Sequence, residues 1–320
     1  MLGRALVGAV ATALLLAGCG SEAAKPESVS IGGVTIVSHP SLDLISEGVK
    51  EGLADAGYVE GENLALEFQN PQGDQATLTN IANTYAAADH DLFVAIATPP
   101  AQAMAQVEQE RPIVFASVTD PVAAGLVDSM EAPGGNVTGT SDQLPTDEQL
   151  ALLLEIDPTI ETVGIVYSAS EVNAQVQADA AIAAAEELGI TIETATIMNT
   201  SEVQQAAESL DVDAYFTLVD NTVVAALESV VQVAEQKQAL LVSSDPDSVD
   251  RGAAAALSTD YKAQGMQTAR MIVRILEGAD PAEIPVELQE SLETVVNEEA
   301  AERMGVTIPQ SVLDRAAGTN

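Results

Sequence analysis

From Val29 onward the chain alternates short β-branched runs with Ala-rich stretches, and it does so in two successive sets. In the first half the runs that read as strands are Val29–Val37, Leu64–Phe68, Leu92–Thr98 and Ile113–Thr119. Between them Ser41–Ala56, Gln75–Ala88 and Pro100–Glu110 have helical composition, with Gly57 as a stop signal and Asp74 as a start signal. Most of the strand runs are continuously apolar, as parallel strands covered by helices on both faces must be. The alternation therefore predicts α/β layering.

The second half repeats the plan. Strands are predicted at Val163–Tyr167, Thr191–Ile197, Ala214–Val219 and Leu240–Ser243. Helices are predicted near Thr146–Glu155, Glu171–Leu188, Glu202–Ser209 and Thr222–Gln236. Pro133-Gly134-Gly135-Asn136 is the strongest punctuation in the middle, and Asn136–Asp142 reads as an extended crossover between two lobes. The tail adds a strand at Ala254–Leu257, a helix at Tyr261–Glu277, a turn at Asp280–Pro285 and a short piece led by Leu292–Val296. Two α/β lobes joined by extended crossings predict a cleft, and in parallel sheets ligands bind beyond the carboxyl ends of the strands.

At those ends polar residues collect: Ser38 with His39, Thr98 with Gln102, Thr119 with Asp120, Ser170 with Glu171 and Asn173, then Asp220, and Asp245. Helix N-termini that come after hydroxyl-rich strand ends favour an anion, and Thr98 and Gln102 bracket the clearest of them. The aspartates offer acceptors to an ammonium group. Neutral donors on one side and carboxylates on the other suit a zwitterion. The same residue types are also ordinary helix caps, and each taken alone fits that role equally well. For His39, before a proline, a structural or capping role outweighs catalysis.

The chain has 49 acidic and 11 basic residues, a formal net charge of −38. Such a field repels phosphate backbones, and no basic cluster offsets it, so nucleic acid is excluded as a partner. Catalytic signatures are missing too: there is no Gly-x-Ser-x-Gly elbow, no Walker glycine loop and no His-Glu-x-x-His. The chain does not read as an enzyme, and no cofactor or metal is expected. An exported enzyme or a sensor for a sugar, nucleoside or peptide signal stands as the alternative reading.

The first nineteen residues carry one positive charge, Arg4, then an apolar run from Ala5 to Ala17, then Gly18 and the sole cysteine, Cys19. That is the plan of an export signal. Leu14 to Cys19 resembles the lipobox of bacterial lipoproteins, which implies lipidation of Cys19. Residues 20–28 then read as a flexible tether, leaving the globular part extracytoplasmic and lipid-anchored to the cell membrane.

Several stretches resemble the substrate-binding lipoproteins of ABC importers, in the family with tryptophan- and tyrosine-type binding proteins. They are Val37–Asp43, Ala56–Asn63, Asn70–Gln75, Ala95–Gln102, Ile113–Leu126, Pro133–Asp142, Gly164–Asn173, Asp220–Val223 and Ser258–Gly265. The resemblance implies a type I periplasmic-binding fold: two Rossmann-like lobes with parallel central sheets joined by three hinge crossings. It places residues 29–140 plus 257–282 in the first lobe and 141–256 plus 283–320 in the second. It also implies an amino-acid-like ligand, delivered to an ABC permease and its ATPase. The extended crossing itself predicts a clamshell, with hinge rotation near Gly139 closing the cleft. Ring stacking would come from Tyr167, Tyr261, Phe115 or aliphatic walls.

Overall fold

The computed structural model describes residues 28–289 and 292–319. The signal segment, Cys19 and the tether up to residue 27 lie outside the described residues. The first set of elements is β1 (Val29–Val34), α1 (Pro40–Asp55), β2 (Leu64–Gln69), α2 (Gln75–Ala87), β3 (Leu92–Ile96), α3 (Thr98–Val107), β4 (Ile113–Ala116) and β5 (Val137–Ser141). The second runs α4 (Thr146–Ile156), β6 (Thr162–Ser168), α5 (Val172–Leu188), β7 (Thr191–Ile197), α6 (Val203–Ser209), β8 (Ala214–Thr217), α7 (Asn221–Val224), α8 (Leu227–Lys237), β9 (Leu240–Ser243), α9 (Asp247–Asp250) and β10 (Ala255–Ser258). The chain ends with α10 (Tyr261–Leu276), β11 (Glu287–Leu288), β12 (Glu293–Val296), α11 (Glu298–Arg303), α12 (Gln310–Leu313) and β13 (Ala316–Thr319).

These strands form two sheets, β11-β5-β4-β3-β1-β2 and β13-β12-β10-β9-β8-β6-β7. The inner order 2-1-3-4-5 of the first reappears as 7-6-8-9-10 in the second, so the two lobes share one topology. Pairing is parallel throughout the first sheet and antiparallel in the second only between β10 and β12. Each sheet has its own apolar core. Ile31, Phe93, Val94 and Ile113 centre the first, and Ile165, Tyr215, Phe216 and Leu241 the second. Burial of these side chains, about 1.5–3 kcal/mol each, holds each lobe together independently of the other.

The chain crosses between sheets three times: after β5, between β10 and α10, and between β11 and β12. On the second pass α10 is pinned to the first lobe through α1. A Cβ on Gly48 would lie 2.2 Å from the Lys262 carbonyl, and one on Gly265 would lie 2.2 Å from that of Ile45. Only glycine at both places lets the two helix backbones touch.

The structure departs from the sequence reading in several places. Asn136–Asp142 is not a crossover: β5 pairs with β4, and the crossing starts at Asp142. Gly139 accordingly sits inside a strand, where a Cβ would lie 2.1 Å from the Phe115 carbonyl, so its bareness serves packing and not hinge rotation. Strand β10, read as starting the return to the first lobe at Leu257, pairs with β9 in the second sheet. The first core extends to Ile284 and Val286, and β11 joins β5, so the first lobe runs past residue 282. The helix predicted over Thr222–Gln236 is broken at Ala226, whose φ of −122° and ψ of 26° leave the helical region.

Candidate functional site

In each lobe the strand order reverses beside the first strand, and the loops at that point face the opposite lobe. Together they enclose one cavity. From the first lobe it is lined by His39 and Leu42 after β1, Ala97 and Thr98 after β3, and Ser117 and Thr119 after β4. The second lobe contributes Asn173 after β6, Val219, Asp220, Asn221 and Val224 after β8, and Asp245 after β9. Tyr261, the first residue of α10, completes the wall.

The backbone is strained where it meets this cavity. Ala97 has φ 79° and Ser117 φ 57°, left-handed values that cost a side-chain-bearing residue of order 1 kcal/mol each. Both residues read on sequence as strand interior. The turn at Ala97 ends β3 abruptly, so that Thr98 opens α3 with its side chain at the cavity.

Buried polar atoms without partners converge on the same space. His39 Nδ1, Thr98 Oγ1, Asn173 Oδ1 and the Tyr261 hydroxyl line the cavity, are buried and have no hydrogen-bond partner. An unpaired buried polar group costs about 1–3 kcal/mol, so four around one cavity mark a place built for a ligand. Burial holds the His39 pKa down at about 4, against an upward pull from Asp245 and with a further downward push from Arg251. The imidazole is therefore neutral at physiological pH. Burial, then the carboxylates of Asp142 and Asp245, push the Tyr261 hydroxyl well above its ordinary value.

Three buried carboxylates surround this space. Asp220, 0% exposed, accepts from Ser168 N at 2.5 Å, Thr222 N at 2.9 Å and Val223 N at 3.0 Å. Burial, and next the neighbouring Glu171, raise its pKa to about 7 despite those three donors. Asp245 accepts from Ser243 Oγ at 3.0 Å and from Ser248 N and Oγ at 2.9 and 2.5 Å. Asp142 lies behind Ser117 and Thr119. No lysine or arginine is among the lining residues. Among the described residues no cluster of three or more His, Cys, Asp or Glu is placed to hold a metal ion.

The lobes touch directly at one edge of the cavity. Asp247 Oδ2 accepts from Ser41 N at 2.9 Å and Ser41 Oγ at 3.3 Å, and Ser41 Oγ also reaches Asp245 at 3.5 Å. His39 precedes α1 but makes no capping hydrogen bond with its side chain, so the second lobe supplies the cap that the first lacks. This corrects the capping role read for His39 on sequence: its ring faces the cavity instead.

Of the ten residues expected on sequence to hold the ligand, Thr98, Thr119, Asn173, Asp220 and Asp245 line the cavity. The others do not. Ser38 is exposed and accepts from Asn70 at 3.0 Å. Gln102 donates to the Ala124 carbonyl at 3.0 Å, and Asp120 caps Ala123 N at 2.8 Å. Ser170 is exposed and hydrogen-bonded to Ser168 at 2.9 Å, at the rim of an adjoining groove. Glu171 is buried but turned into its own lobe, where it ties Asn221 and Thr222 to the start of α5. Of the aromatic residues proposed for stacking, Tyr261 lines the cavity, whereas Phe115 is buried within the first core and Tyr167 packs on the second. The sequence reading groups Ser117 and Asn221 with the polar strand ends but does not name them as ligand contacts, and it gives Tyr261 no more weight than the other two rings. A serine held at positive φ carries no local signal, and Tyr261 reaches the cavity only through the second crossing.

The same architecture occurs in known proteins. A tyrosine-binding protein from Clostridioides difficile (strain R20291) is 37% identical over 272 residues, 84% of this chain and 79% of that protein. An ABC domain from Streptococcus pneumonia solved in complex with L-Trp is 36% identical, superimposes with a TM-score of 0.89, and the match covers 92% of this chain and 100% of that one. A ligand-free, open substrate-binding protein with adhesive properties, from Clostridium difficile, is 34% identical over 91% of this chain and 99% of its own, yet its TM-score is only 0.71. At nearly equal identity, this chain superimposes better on the liganded structure than on the open one. The family described as ABC transporter substrate binding protein matches residues 30–320, and the fold is that of the type I periplasmic binding proteins. With its twin sheets, its interlobe cavity and a match over nearly the whole described length, this chain belongs to the ABC transporter substrate-binding protein family.

Proposed function

We propose that the protein captures an α-amino acid with an aromatic side chain in the interlobe cavity and delivers it to an ABC importer. The single observation that carries this reading is the convergence of unpaired buried polar atoms and buried carboxylates on one cavity lined by no lysine or arginine. A ligand carboxylate would be held by the Thr98 hydroxyl at the start of α3, where the helix dipole favours negative charge although Pro99 and Pro100 have no N–H to add. Its ammonium would be held by Asp220 and Asp245. Leu42, Val219, Val224 and the Tyr261 ring supply an apolar surface for the side chain. The tyrosine-binding relative and the tryptophan-bound structure support an aromatic amino acid in particular.

Capture works by closure. The three crossings let the lobes part, and the Ser41 contacts to Asp245 and Asp247 form only when they meet. Micromolar affinity requires about 8 kcal/mol, which one carboxylate grip, one ammonium grip and a buried ring can supply. Upstream, the signal segment and Cys19 fit export and lipid anchoring beside a permease and ATPase in the cell membrane. Among the described residues no helix is long and apolar enough to cross that membrane. Calorimetric titration with the twenty amino acids tests the proposal. Saturable heat with L-tyrosine or L-tryptophan at one site per chain is expected, and no heat from any of the twenty overturns it.

A further inference from the structure

Asp142 is the residue at which the chain leaves β5 and enters the first crossing, and it is 1% exposed. Its Oδ2 accepts from the Ser117 hydroxyl at 2.7 Å, and its Oδ1 accepts from the Thr119 hydroxyl at 2.9 Å. Both serine and threonine have one hydroxyl proton and two lone pairs, whereas an ionised carboxylate only accepts. Both protons are thereby committed to Asp142. What Ser117 and Thr119 can still present to the cavity they line is lone pairs.

The arrangement is held from several sides. Ser117 is fixed in the left-handed region, Ser141 Oγ donates to the Thr119 carbonyl at 3.0 Å, and Val118 N donates to the Thr140 carbonyl at 3.4 Å. None of the ion pairs among the described residues involves Asp142. Burial raises its pKa and the two hydroxyls partly offset that rise. A buried carboxylate without a cation, reaching the cavity only through two hydroxyls, calls for positive charge on the far side of those hydroxyls.

We propose that Asp142 is a positioning residue that fixes Ser117 and Thr119 as hydrogen-bond acceptors, so that this part of the first lobe receives the ammonium group of the ligand. The proposal rests on the cavity being an amino-acid site. It divides the first-lobe wall in two. Thr98, whose hydroxyl has no partner and keeps its proton free, is the donor end for the ligand carboxylate. Thr119, grouped on sequence with the neutral residues facing the ligand, moves to the ammonium end beside Asp220 and Asp245.

Asp142→Asn tests this, because an asparagine offers one acceptor oxygen and a donating NH2. One of the two hydroxyls must then turn to accept from the amide and point its proton into the cavity. Calorimetry compares L-tyrosine, tyramine, which lacks the carboxylate, and 3-(4-hydroxyphenyl)propanoate, which lacks the ammonium. The variant is expected to weaken L-tyrosine and tyramine by about tenfold or more and to change the propanoate by less than about threefold. Equal losses for all three mean that Asp142 only supports the fold, and unchanged binding of the two amines is equally fatal. Ser117→Ala and Thr119→Val, which remove one relay hydroxyl each, are expected to show the same selective loss and replace Asp142→Asn if that variant does not fold. A wild-type protein that binds none of the three probes overturns the amino-acid reading itself, and the assignment of Asp142 falls with it.

Discussion

The two walls of the cavity are built on one topology but with different chemistry. Lobe 1 presents hydroxyls, strained backbone at Ala97 and Ser117, and a helix N-terminus; its one carboxylate, Asp142, stands behind hydroxyls. Lobe 2 presents Asp220 and Asp245 directly, each already tied into its own lobe by three or more donors. The same strand ends, β3 in one sheet and β8 in the other, thus carry a free hydroxyl on one side and a buried carboxylate on the other. Shared topology fixes where a ligand sits, and the residue types set its carboxylate at Thr98 and its ammonium between Asp220 and Asp245 of lobe 2 and the Ser117–Thr119 part of lobe 1. A zwitterion reads both walls at once, and closure occurs when it does.

The sharpest way to break this contrast is to remove the charge from lobe 2. Asp220→Ala should weaken L-tyrosine binding by about a hundredfold in a calorimetric titration, since a charge-assisted hydrogen bond is lost from a buried site. A smaller loss there than in Thr98→Val would reverse the assignment of the walls. Next in size is the contact that exists only between lobes. Asp247→Ala should lower affinity about tenfold, chiefly through faster dissociation, while the first turn of α1 loses hydrogen-exchange protection at Ser41. Dissociation and exchange rates that both match the wild type would show that the lobes close without this link.

A third change touches lobe 1 alone. Thr98→Val deletes an unpaired buried hydroxyl at constant shape, so the ligand-free protein should melt at the same or a higher temperature while affinity falls about fivefold. Loss of both together would assign Thr98 to the fold. The smallest effect is a proton. In the free protein Asp220 titrates at about 7, well above its unfolded value of 3.8, so between those values the folded state holds a proton that the unfolded state does not, and this group's contribution to stability falls as pH rises through that window. His39, lowered to about 4 from 6.5, acts oppositely, its contribution rising with pH between those values. An ammonium group docking on Asp220 favours its ionised form. Binding near about pH 6 should therefore release a fraction of a proton, seen as a buffer-dependent heat of binding, and release should vanish near about pH 8. Buffer-independent heat at both values would separate Asp220 from the ligand.

The sequence carries the architecture plainly because the inner strands of both sheets, such as β3, β4, β8 and β9, are continuous apolar runs punctuated by helices, a pattern set by burial on two faces, whereas the edge strands β2 and β7 are partly exposed. The short elements are less visible. β11 has only two residues, and β13, Ala-Ala-Gly-Thr, has no apolar β-branched run to mark it as a strand. At the cavity, Thr98, Asp220 and Asp245 are legible because each stands just past the carboxyl end of a strand. Ser38, Gln102 and Asp120 sit at the same ends yet turn away, because a side chain at a strand end can as easily serve a neighbouring carbonyl or amide as a ligand. His39 lies one residue beyond Ser38 and faces inward where Ser38 faces out. Ser117 and Asp142 escape for a different reason: they meet across the β4–β5 register, and only the fold brings a crossing residue onto a strand end 25 positions away.

Small-angle scattering on protein refolded from denaturant to strip any bound ligand, before and after saturation with L-tyrosine or L-tryptophan, addresses the central claim most directly. If the cavity is where the two lobes grip a zwitterion, the radius of gyration falls on saturation, and the liganded profile fits the closed arrangement in which Ser41 meets Asp247. Binding heat with an unchanged radius of gyration would place the ligand outside the cleft and contradict the account.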